Sequence, residues 1–332
     1  MQNKAYIYIN YNNIVVLQSY LDVVKDALVS MGYVCEYTKD LTGGDKKALI
    51  VHPMGIDAFK FYLKGYRNFI LWQQGATADE SFMRNHSRLR RWMLNKIDLF
   101  AMKRAKAILY VSGYMRQYYE EMGECSFAGK SYLMPCFNEE YDESIYDSKD
   151  YSKKTFTYVG SLDLWQCFEQ TAMLYKQIEK AIPEARFKVL TFDTANAERI
   201  IKDKGIKHYE VKCVPKEEVK NELKSVNYGF IIREDNMVNR VATPTKISSY
   251  MSAGVIPIFS TCLKDFTALA QNLKYAKAVE DLSKEGVNDV IHYVKLPTDK
   301  GEIKAEYKNV FNSYFGKQSH CQNLLTLFKK VL

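Results

Sequence analysis

The sequence has little of what marks a membrane-spanning or secreted protein. No run in its 332 residues approaches the ~20 apolar residues that a membrane-spanning helix needs. The first residues lead straight into a strand-like stretch, without the apolar core and small-residue cleavage site of a secretion signal. The seven cysteines are scattered, odd in number and free of any C-x-x-C pair, which is typical of a reducing compartment. These absences predict a cytoplasmic protein.

Several chemical motifs are also missing. A nicotinamide- or flavin-binding chain needs G-x-G-x-x-G after its first strand, and residues 9–13 contain no glycine. The sequence has no P-loop and no Asp-x-Asp motif, and its five histidines lack the short intervals of a metal site. We therefore expect neither a cofactor nor a metal ion.

The composition is that of a globular protein with a moderate excess of basic residues. Apolar residues make up 47% and charged residues 26% of the chain, which excludes the disordered and collagen-like classes. The length of 332 residues predicts about two domains. The 47 Lys and Arg residues exceed the 39 Asp and Glu residues, and the resulting net charge of +8 suits an anionic ligand or surface.

Short apolar runs alternate with segments of helical period along the chain, which is typical of βα units built on parallel sheets. The predicted strands lie at 5–9, 33–37, 48–52, 68–73, 108–111, 131–134, 155–159, 186–191, 209–212, 228–232 and 255–259. Helices in the second half are predicted at about 166–182, 194–204, 216–226 and 245–253. The pattern predicts an α/β protein with two doubly wound domains, at 1–137 and 155–305, joined by a polar linker at 138–154 and followed by a C-terminal helix at 306–332.

The loops after the strands of the second domain are where ligands of open parallel sheets bind. Gly160-Ser161 follows the strand at 155–159, and a small residue there lets a phosphate approach backbone N–H groups. Arg233 follows the strand at 228–232. Its side chain either meets an anion in the crevice or forms a surface salt bridge with Glu234 or Asp235.

A second basic residue stands at the start of the helix predicted at 245–253. Thr243 can cap this helix, Pro244 suits its first position, and Lys246 lies in its first turn. A lysine there opposes the helix dipole and does not help folding. An anion that bridges the lysine and the helix N-terminus would make the arrangement favourable.

The run from Tyr228 to Phe259 carries a family resemblance. Its strand, its Arg, and the motifs Asn-Arg-Val-Ala-Thr-Pro-Thr-Lys, Tyr-Met-Ser-Ala-Gly and Ile-Pro-Ile resemble the donor-site segment of GT-B glycosyltransferases of the GT4-like, retaining type. Phe156–Leu162, Tyr132–Cys136 and Ala105–Ser112 resemble other strands of that family. The resemblance implies two Rossmann-like domains facing a cleft, a nucleotide-sugar in the second domain, and a C-terminal helix crossing back onto the first.

Two departures from the family pattern bear on the donor site. Many GT4 enzymes carry two glutamates, the second of which holds the nucleotide ribose, whereas this sequence has Val241 and Ser249 there. The basic residue that usually follows the Gly-rich turn is absent from 162–167. Glu234 or Ser249 would then hold the ribose, and Arg233 and Lys246 the diphosphate. The implied donor-site residues are Gly160, Ser161, Val214, Arg233, Glu234, Asn239, Thr245, Lys246 and Ser249.

The resemblance also implies an acceptor site in the first domain. We expect it at the ends of strands and in the segment that follows them, at His52, Gln74, Gly75, Glu80 and His86. Glu80 could orient or deprotonate an acceptor hydroxyl, or simply be an acid favoured by a helix N-terminus. A lone histidine on a helix, such as His86, is more often structural.

The segment Arg84–Lys106 carries a concentration of positive charge. It has eight basic residues against Asp98 alone, interleaved with apolar residues as in an amphipathic helix. It is either a solvated helix face packed on the sheet or a surface for anionic lipid headgroups. No basic-aromatic array matches a nucleic-acid-binding module, so we expect no nucleic-acid partner.

The function implied by the resemblance is transfer of a hexosyl group from a nucleoside-diphosphate sugar to a saccharide, on a lipid carrier, in surface polysaccharide biosynthesis such as capsule or lipopolysaccharide. We expect retention of configuration and no metal, with Arg233, Lys246 and Glu80 as the catalytic residues. Placed cations stabilise the charge that develops on a departing diphosphate. Two alternatives are a sugar-nucleotide epimerase or hydrolase and a non-catalytic GT-B subunit. The protein would be cytoplasmic, or peripheral at the inner face of the membrane.

Overall fold

A computed structural model describes residues 3–9 and 14–332, and for residues 14–17 it describes the backbone alone. Residues 10–13, which hold most of the glycine-free stretch after the first strand, lie outside the described residues. The chain divides into two compact units. The first comprises Met1–Asn138, Arg240–Thr243 and Ser313–Leu332, and the second Glu139–Asn239 and Pro244–Asn312.

The first unit is built on a parallel six-stranded sheet with strand order β2-β1-β3-β4-β5-β6. Its strands are β1 Lys4–Tyr8, β2 Val34–Thr38, β3 Leu49–Val51, β4 Phe69–Gln73, β5 Ala107–Tyr110 and β6 Ser131–Leu133. Its helices are α1 Ile14–Val29, α2 Gly55–Leu63, α3 Thr77–Asn85, α4 Arg88–Arg104, α5 Gly113–Gly123 and α15 Lys317–Val331. The central strands are buried along their whole length, as helices on both faces of a parallel sheet require.

The second unit repeats this plan, with strand order β12-β11-β10-β7-β8-β9, all parallel. Its strands are β7 Thr155–Val159, β8 Arg186–Leu190, β9 Tyr209–Lys212, β10 Tyr228–Ile231, β11 Ile256–Ser260 and β12 Lys277–Val279. The helices from α6 to α14 are α6 Ser144–Asp147, α7 Phe168–Ala181, α8 Thr194–Asp203, α9 Lys216–Leu223, α10 Met237–Arg240, α11 Lys246–Ser252, α12 Lys264–Ala270, α13 Lys284–Lys295 and α14 Lys300–Ser313. Among the described residues, no helix is long and apolar enough to cross a membrane.

The segment predicted as a linker is packed into the second unit. The Tyr146 hydroxyl donates to the carbonyl oxygen of Met251 at 2.6 Å, and the Tyr151 hydroxyl donates to that of Gly254 at 2.7 Å. Lys149, which lies between these two tyrosines in the sequence, is buried and donates to the Leu223 carbonyl oxygen. Burial lowers the pKa of Lys149 to about 7. These long-range contacts leave no pattern in the polar sequence of the segment.

The C-terminal segment forms two helices instead of one. α14 ends at Ser313, α15 begins at Lys317, and Gly316 between them is the N-cap of α15. Within the first unit, α15 packs against α1, and the Tyr132 hydroxyl lies 2.8 Å from His320 Nδ1.

The basic segment Arg84–Lys106 is likewise not one helix. α3 ends at Asn85, His86 takes a left-handed conformation with φ of +52°, and Ser87 caps α4 by accepting from Arg90 N. The prediction of a single amphipathic helix was therefore wrong, because the cap at Ser87 restarts the chain in a new helix.

Candidate functional site

Two basic side chains of the second unit converge on one amide. Arg233, just beyond the carboxyl end of β10, donates from Nη2 to Oε1 of Gln166 at 2.5 Å and from Nη1 to its backbone oxygen at 2.7 Å. Lys246, the first residue of α11, donates from Nζ to the same Oε1 at 2.6 Å. The structure thus brings together the two cations that the sequence predicted for a diphosphate.

The partner that these cations share is uncharged. In the part of the chain that the structure describes, neither Arg233 nor Lys246 forms an ion pair with an Asp or Glu. The Asp163 carboxylate favours the charge of Lys246 at longer range, and it accepts a hydrogen bond from Ser161 Oγ at 2.7 Å. The surface salt bridge of Arg233 with Glu234 or Asp235, the alternative in the sequence, does not form.

The electrostatics of the pair favour an incoming anion. Burial, and then the positive charge of Arg233, holds the pKa of Lys246 well below its ordinary value. Burial also lowers the pKa of Arg233, which is 7% exposed. Two neighbouring cations that share a neutral oxygen gain stability when a polyanion enters between them.

Gly160 makes this arrangement possible. It follows β7 directly, with φ of +129°, and a Cβ on it would lie 2.8 Å from Cε and 3.1 Å from Nζ of Lys246. A side chain at this position would therefore push the lysine away. The Lys246 ammonium also lies 4.3 Å from the centre of the Tyr158 ring, which gives its charge an aromatic neighbour.

Tyr250, in the same helix as Lys246, also contacts the strands next to the two cations. The Tyr250 ring packs on β10 where Gly229 has no side chain, and its hydroxyl accepts from Val159 N at 3.2 Å. Gln166, Tyr158 and Tyr250 were missed as site residues in the sequence. Gln166 could have been noticed as a polar side chain at the end of the turn that follows Gly160.

Glu234, on the loop after β10, lies close to Asn239 of the short helix α10. Glu234 Oε1 accepts from Gln170 at 2.7 Å, and the Glu234 backbone oxygen accepts from Asn239 Nδ2 at 2.9 Å. Asn239 is buried, and its backbone N–H donates to Asn236 Oδ1. In this structure the Asn239 side chain holds the loop backbone at Glu234, and Gln170 of α7 holds the exposed Glu234 carboxylate.

The remaining predicted donor residues differ in their surroundings. The Ser249 hydroxyl donates to the Thr245 backbone oxygen at 3.2 Å, and Thr245, the N-cap of α11, makes no side-chain cap. Val214 follows β9, the edge strand of the sheet, and stands two strands away from Gly160. The structure gathers Gly160, Arg233 and Lys246, and places Val214 apart from them.

In the first unit, His52 and Gln74 meet. Gln74 Nε2 donates to Nε2 of His52 at 2.5 Å, and Nδ1 of His52 lies 3.0 Å from the backbone oxygen of Tyr8. Burial lowers the pKa of His52 to about 4, so the ring is neutral, with its proton on Nδ1. His52 therefore positions Gln74.

Gly75 and Glu80 also meet. The Glu80 carboxylate occupies the place that a Cβ on Gly75 would need, so Gly75 allows this acid to fold back onto the loop. Glu80 lies in the first turn of α3, whereas the exposed His86 lies at the other end of the helix. His86 therefore stands apart from the other predicted acceptor residues.

The first unit also holds a polar network that sequence reasoning missed. The buried Asp79 pairs with Arg91 Nη2 at 2.6 Å and accepts from the Tyr118 hydroxyl at 2.7 Å. The buried Asp98 accepts from the Tyr119 hydroxyl at 3.3 Å, and that hydroxyl accepts from Gln73 at 2.8 Å. Burial raises the pKa of Asp98 to about 7.

This raised pKa predicts a pH-dependent stability. Between about pH 4 and pH 7 the folded chain keeps a proton on Asp98 that the unfolded chain has released, so the free energy of unfolding should fall as the pH rises. Over this window the fall amounts to at most about 4 kcal/mol. Urea denaturation at a series of pH values should show a shallower dependence for Asp98→Asn than for the wild type. Equal pH dependences would contradict the assignment.

Within the described residues, no group of three or more His, Cys, Asp or Glu side chains is placed to hold a metal ion.

No protein-family model and no curated protein sequence matches the chain. It is similar in structure to HepE from Anabaena in complex with UDP and glucose, with a TM-score of 0.68, 10% identity, and coverage of 99% of this chain and 100% of that one. It is also similar to a mutant of TarM from S. aureus in complex with fondaparinux, alpha-GlcNAc-glycerol and UDP, with a TM-score of 0.67 and 8% identity. That match covers 86% of this chain and 56% of TarM, so the chain spans little more than half of TarM's length. Sucrose-phosphate synthase from Thermosynechococcus elongatus gives a TM-score of 0.57 at 12% identity, covering 99% of this chain and 95% of that one.

At these identities the similarity concerns the fold. Both units have the doubly wound parallel sheet that the sequence pattern predicted, and the sheet of the second unit has one strand more than predicted, β12. HepE and sucrose-phosphate synthase match the chain along nearly its whole length, across both units. The prediction of the α/β class and architecture is confirmed, and the chain has the GT-B fold.

Proposed function

We propose that the protein is a glycosyltransferase that takes a hexosyl group from a nucleoside-diphosphate sugar. The observation that carries this proposal is the pair of cations, Arg233 and Lys246, that share the neutral Gln166 at the carboxyl ends of parallel strands. A diphosphate supplies the two negative charges that the pair lacks. HepE and TarM, which share the fold, are both seen in complex with UDP, which supports a nucleotide ligand.

The chemistry that we assign to the pair is stabilisation of the leaving group. When the bond between the sugar and the diphosphate breaks, charge develops on the departing phosphate, and fixed cations stabilise that charge most where water is excluded. Burial disfavours the charged form of Lys246, and the negative charge that develops on the departing phosphate stabilises that form. We propose that this electrostatic activation takes the place of a metal ion, and that the reaction retains the configuration of the sugar, as in GT4-like enzymes.

The acceptor that we propose is a saccharide on a lipid carrier, bound by the first unit, in the biosynthesis of a surface polysaccharide. Gln74, held by His52, and Glu80, folded onto Gly75, supply polar groups to it. In this proposal Glu80 orients the acceptor hydroxyl.

A thermal-shift screen against UDP-, GDP-, ADP- and dTDP-sugars tests the proposal. A ligand at 100 times its Kd stabilises a protein by about 2.7 kcal/mol, so one nucleotide class should raise the Tm by several degrees. Failure of every class to shift the Tm would contradict the proposal. Turnover of the stabilising sugar nucleotide then separates the alternatives: a transferase needs an acceptor, an epimerase or hydrolase does not, and a non-catalytic subunit turns over nothing. Activity abolished by EDTA would contradict the metal-independent mechanism.

We further propose that α4 attaches the protein to an anionic membrane surface. Three large apolar side chains, Leu89, Trp92 and Met93, are 66%, 58% and 45% exposed, and their spacing puts them on one face of the helix. The exposed Arg88 and Lys96 flank them, and the Lys96 ammonium lies 6.0 Å from the Trp92 ring. Apolar side chains bordered by cations are typical of helices that lie in the headgroup region.

Sedimentation with liposomes checks this attachment. Binding should increase several-fold when phosphatidylglycerol is added to phosphatidylcholine vesicles, and should weaken with salt. Trp92→Ser should lose most of the binding, whereas Leu63→Ser, which changes another strongly exposed apolar residue of the same unit, should not. Absence of binding, or binding that ignores the anionic lipid, would contradict the attachment.

A further inference from the structure

A cavity of about 310 Å³ lies between the first turns of α2 and α3 and the middle of α4. Apolar side chains line part of it, namely Met54, Ile56 and Leu94. Gly55 and four polar residues line the rest, and the polar residues are Asp57, Lys60, Thr77 and Asp98. Its size falls at the lower end of the range of small-molecule sites, about 300–1,000 Å³.

Asp98 is the polar group at the inner end of this cavity. It is 4% exposed, and its Oδ2 accepts a hydrogen bond from the Tyr119 hydroxyl. Its Oδ1 lies where a Cβ on Gly55 would stand, and no hydrogen bond to Oδ1 is present within the described residues. Asp98 lines the cavity, and its Oδ1 has no hydrogen-bond donor among the described residues, so it is free to accept a hydrogen bond from a ligand there.

Glycine at position 55 keeps this oxygen accessible. Any larger residue at the start of α2 would collide with the Asp98 carboxyl group and displace it. Asp57, in the same turn, is already engaged by Lys60 at 3.5 Å, so the charge on that wall is balanced. The ligand group that meets Asp98 therefore needs a hydrogen-bond donor and no compensating charge, as a hydroxyl provides.

We infer that this cavity binds a single sugar ring of a saccharide, with a ring hydroxyl donating to Oδ1 of Asp98 and an apolar face of the ring against Met54 and Leu94. A pyranose combines hydroxyls with an apolar face, which matches the two kinds of lining. The inference deepens the proposed function, on which it rests for the choice of a saccharide, by giving the first unit a sugar subsite distinct from Gln74 and Glu80.

Saturation-transfer difference NMR on the full chain tests the inference, with free glucose, galactose and N-acetylglucosamine as probes. We expect transfer to at least one of them. We expect it to fall at least fivefold in Asp98→Leu, which removes the acceptor, and in Gly55→Ala, which displaces the carboxyl group. Asp98→Asn keeps an acceptor oxygen and should retain the signal, as should the surface control Asp203→Leu.

Absence of transfer to all three sugars from the wild type would overturn the inference, and so would unchanged transfer in both Asp98→Leu and Gly55→Ala. The thermal shift with nucleotide sugars is measured on the same samples. Absence of a sugar signal from the wild type, with the nucleotide shift present, acts against this subsite alone. A missing nucleotide shift in the wild type acts against the proposed function.

Discussion

Replacing Lys246 with methionine is expected to weaken nucleoside-diphosphate binding about 30-fold, or about 2 kcal/mol, the usual size of a lost charge-assisted contact. Methionine keeps the volume that packs on Gly160 and removes the ammonium that bonds Gln166. Arg233→Met should cost as much. Isothermal titration calorimetry with the nucleotide that shifts the Tm measures both.

The control for these variants is Lys180→Met, which removes an exposed lysine of α7 in the same unit. It should bind the nucleotide as the wild type does, because its charge is screened and lies outside the cation pair. Equal affinity of the wild type, Lys246→Met and Arg233→Met would show that the diphosphate does not bind at this site. Equal weakening by Lys180→Met would show that only the net charge matters.

Replacing Gly229 with alanine is expected to lower the free energy of unfolding by about 3 kcal/mol, at the upper end of the usual cost of overpacking a core. The added Cβ would overlap the Tyr250 ring, which is fully buried and cannot swing aside without losing its hydrogen bond with Val159 N. The same displacement would move α11 and with it Lys246. Nucleotide binding should therefore weaken along with stability.

Urea denaturation measures this loss, with Gly129→Ala as the matched control. Nothing lies within 4 Å of a Cβ built on Gly129, so the same substitution there should change the free energy of unfolding little. Overpacking usually costs at least about 1 kcal/mol. A smaller loss in Gly229→Ala would show that the position of the Tyr250 ring does not require the absence of a side chain at residue 229.

Most of the fold could be predicted from the sequence, because buried parallel strands appear as apolar runs. All the predicted strands are present, and their ends agree with the structure to within one residue. The strand that was missed, Lys277–Val279, has only three residues, one of them buried. So short an edge strand forms because Ile258–Ser260 pairs with it, and that pairing leaves no pattern in its own sequence.

The candidate site could be predicted only in part. Arg233 and Lys246 could be found because cations after a strand and at a helix start are unfavourable without an anion. Gln166 offered only the weak signal of a polar side chain in a turn, and Asp98 offered none, since an acid on a helix is an ordinary surface residue until tertiary contacts bury it. The family resemblance gave no help at Ser249, whose hydroxyl bonds the backbone of its own helix.

A crystal structure with the nucleoside diphosphate that raises the Tm most tests the central claim directly. We predict phosphate oxygens within hydrogen-bond distance of both the Arg233 guanidinium and the Lys246 ammonium, with the Gln166 side chain displaced from between them. A diphosphate bound elsewhere, with Gln166 still joining the two cations, would contradict it.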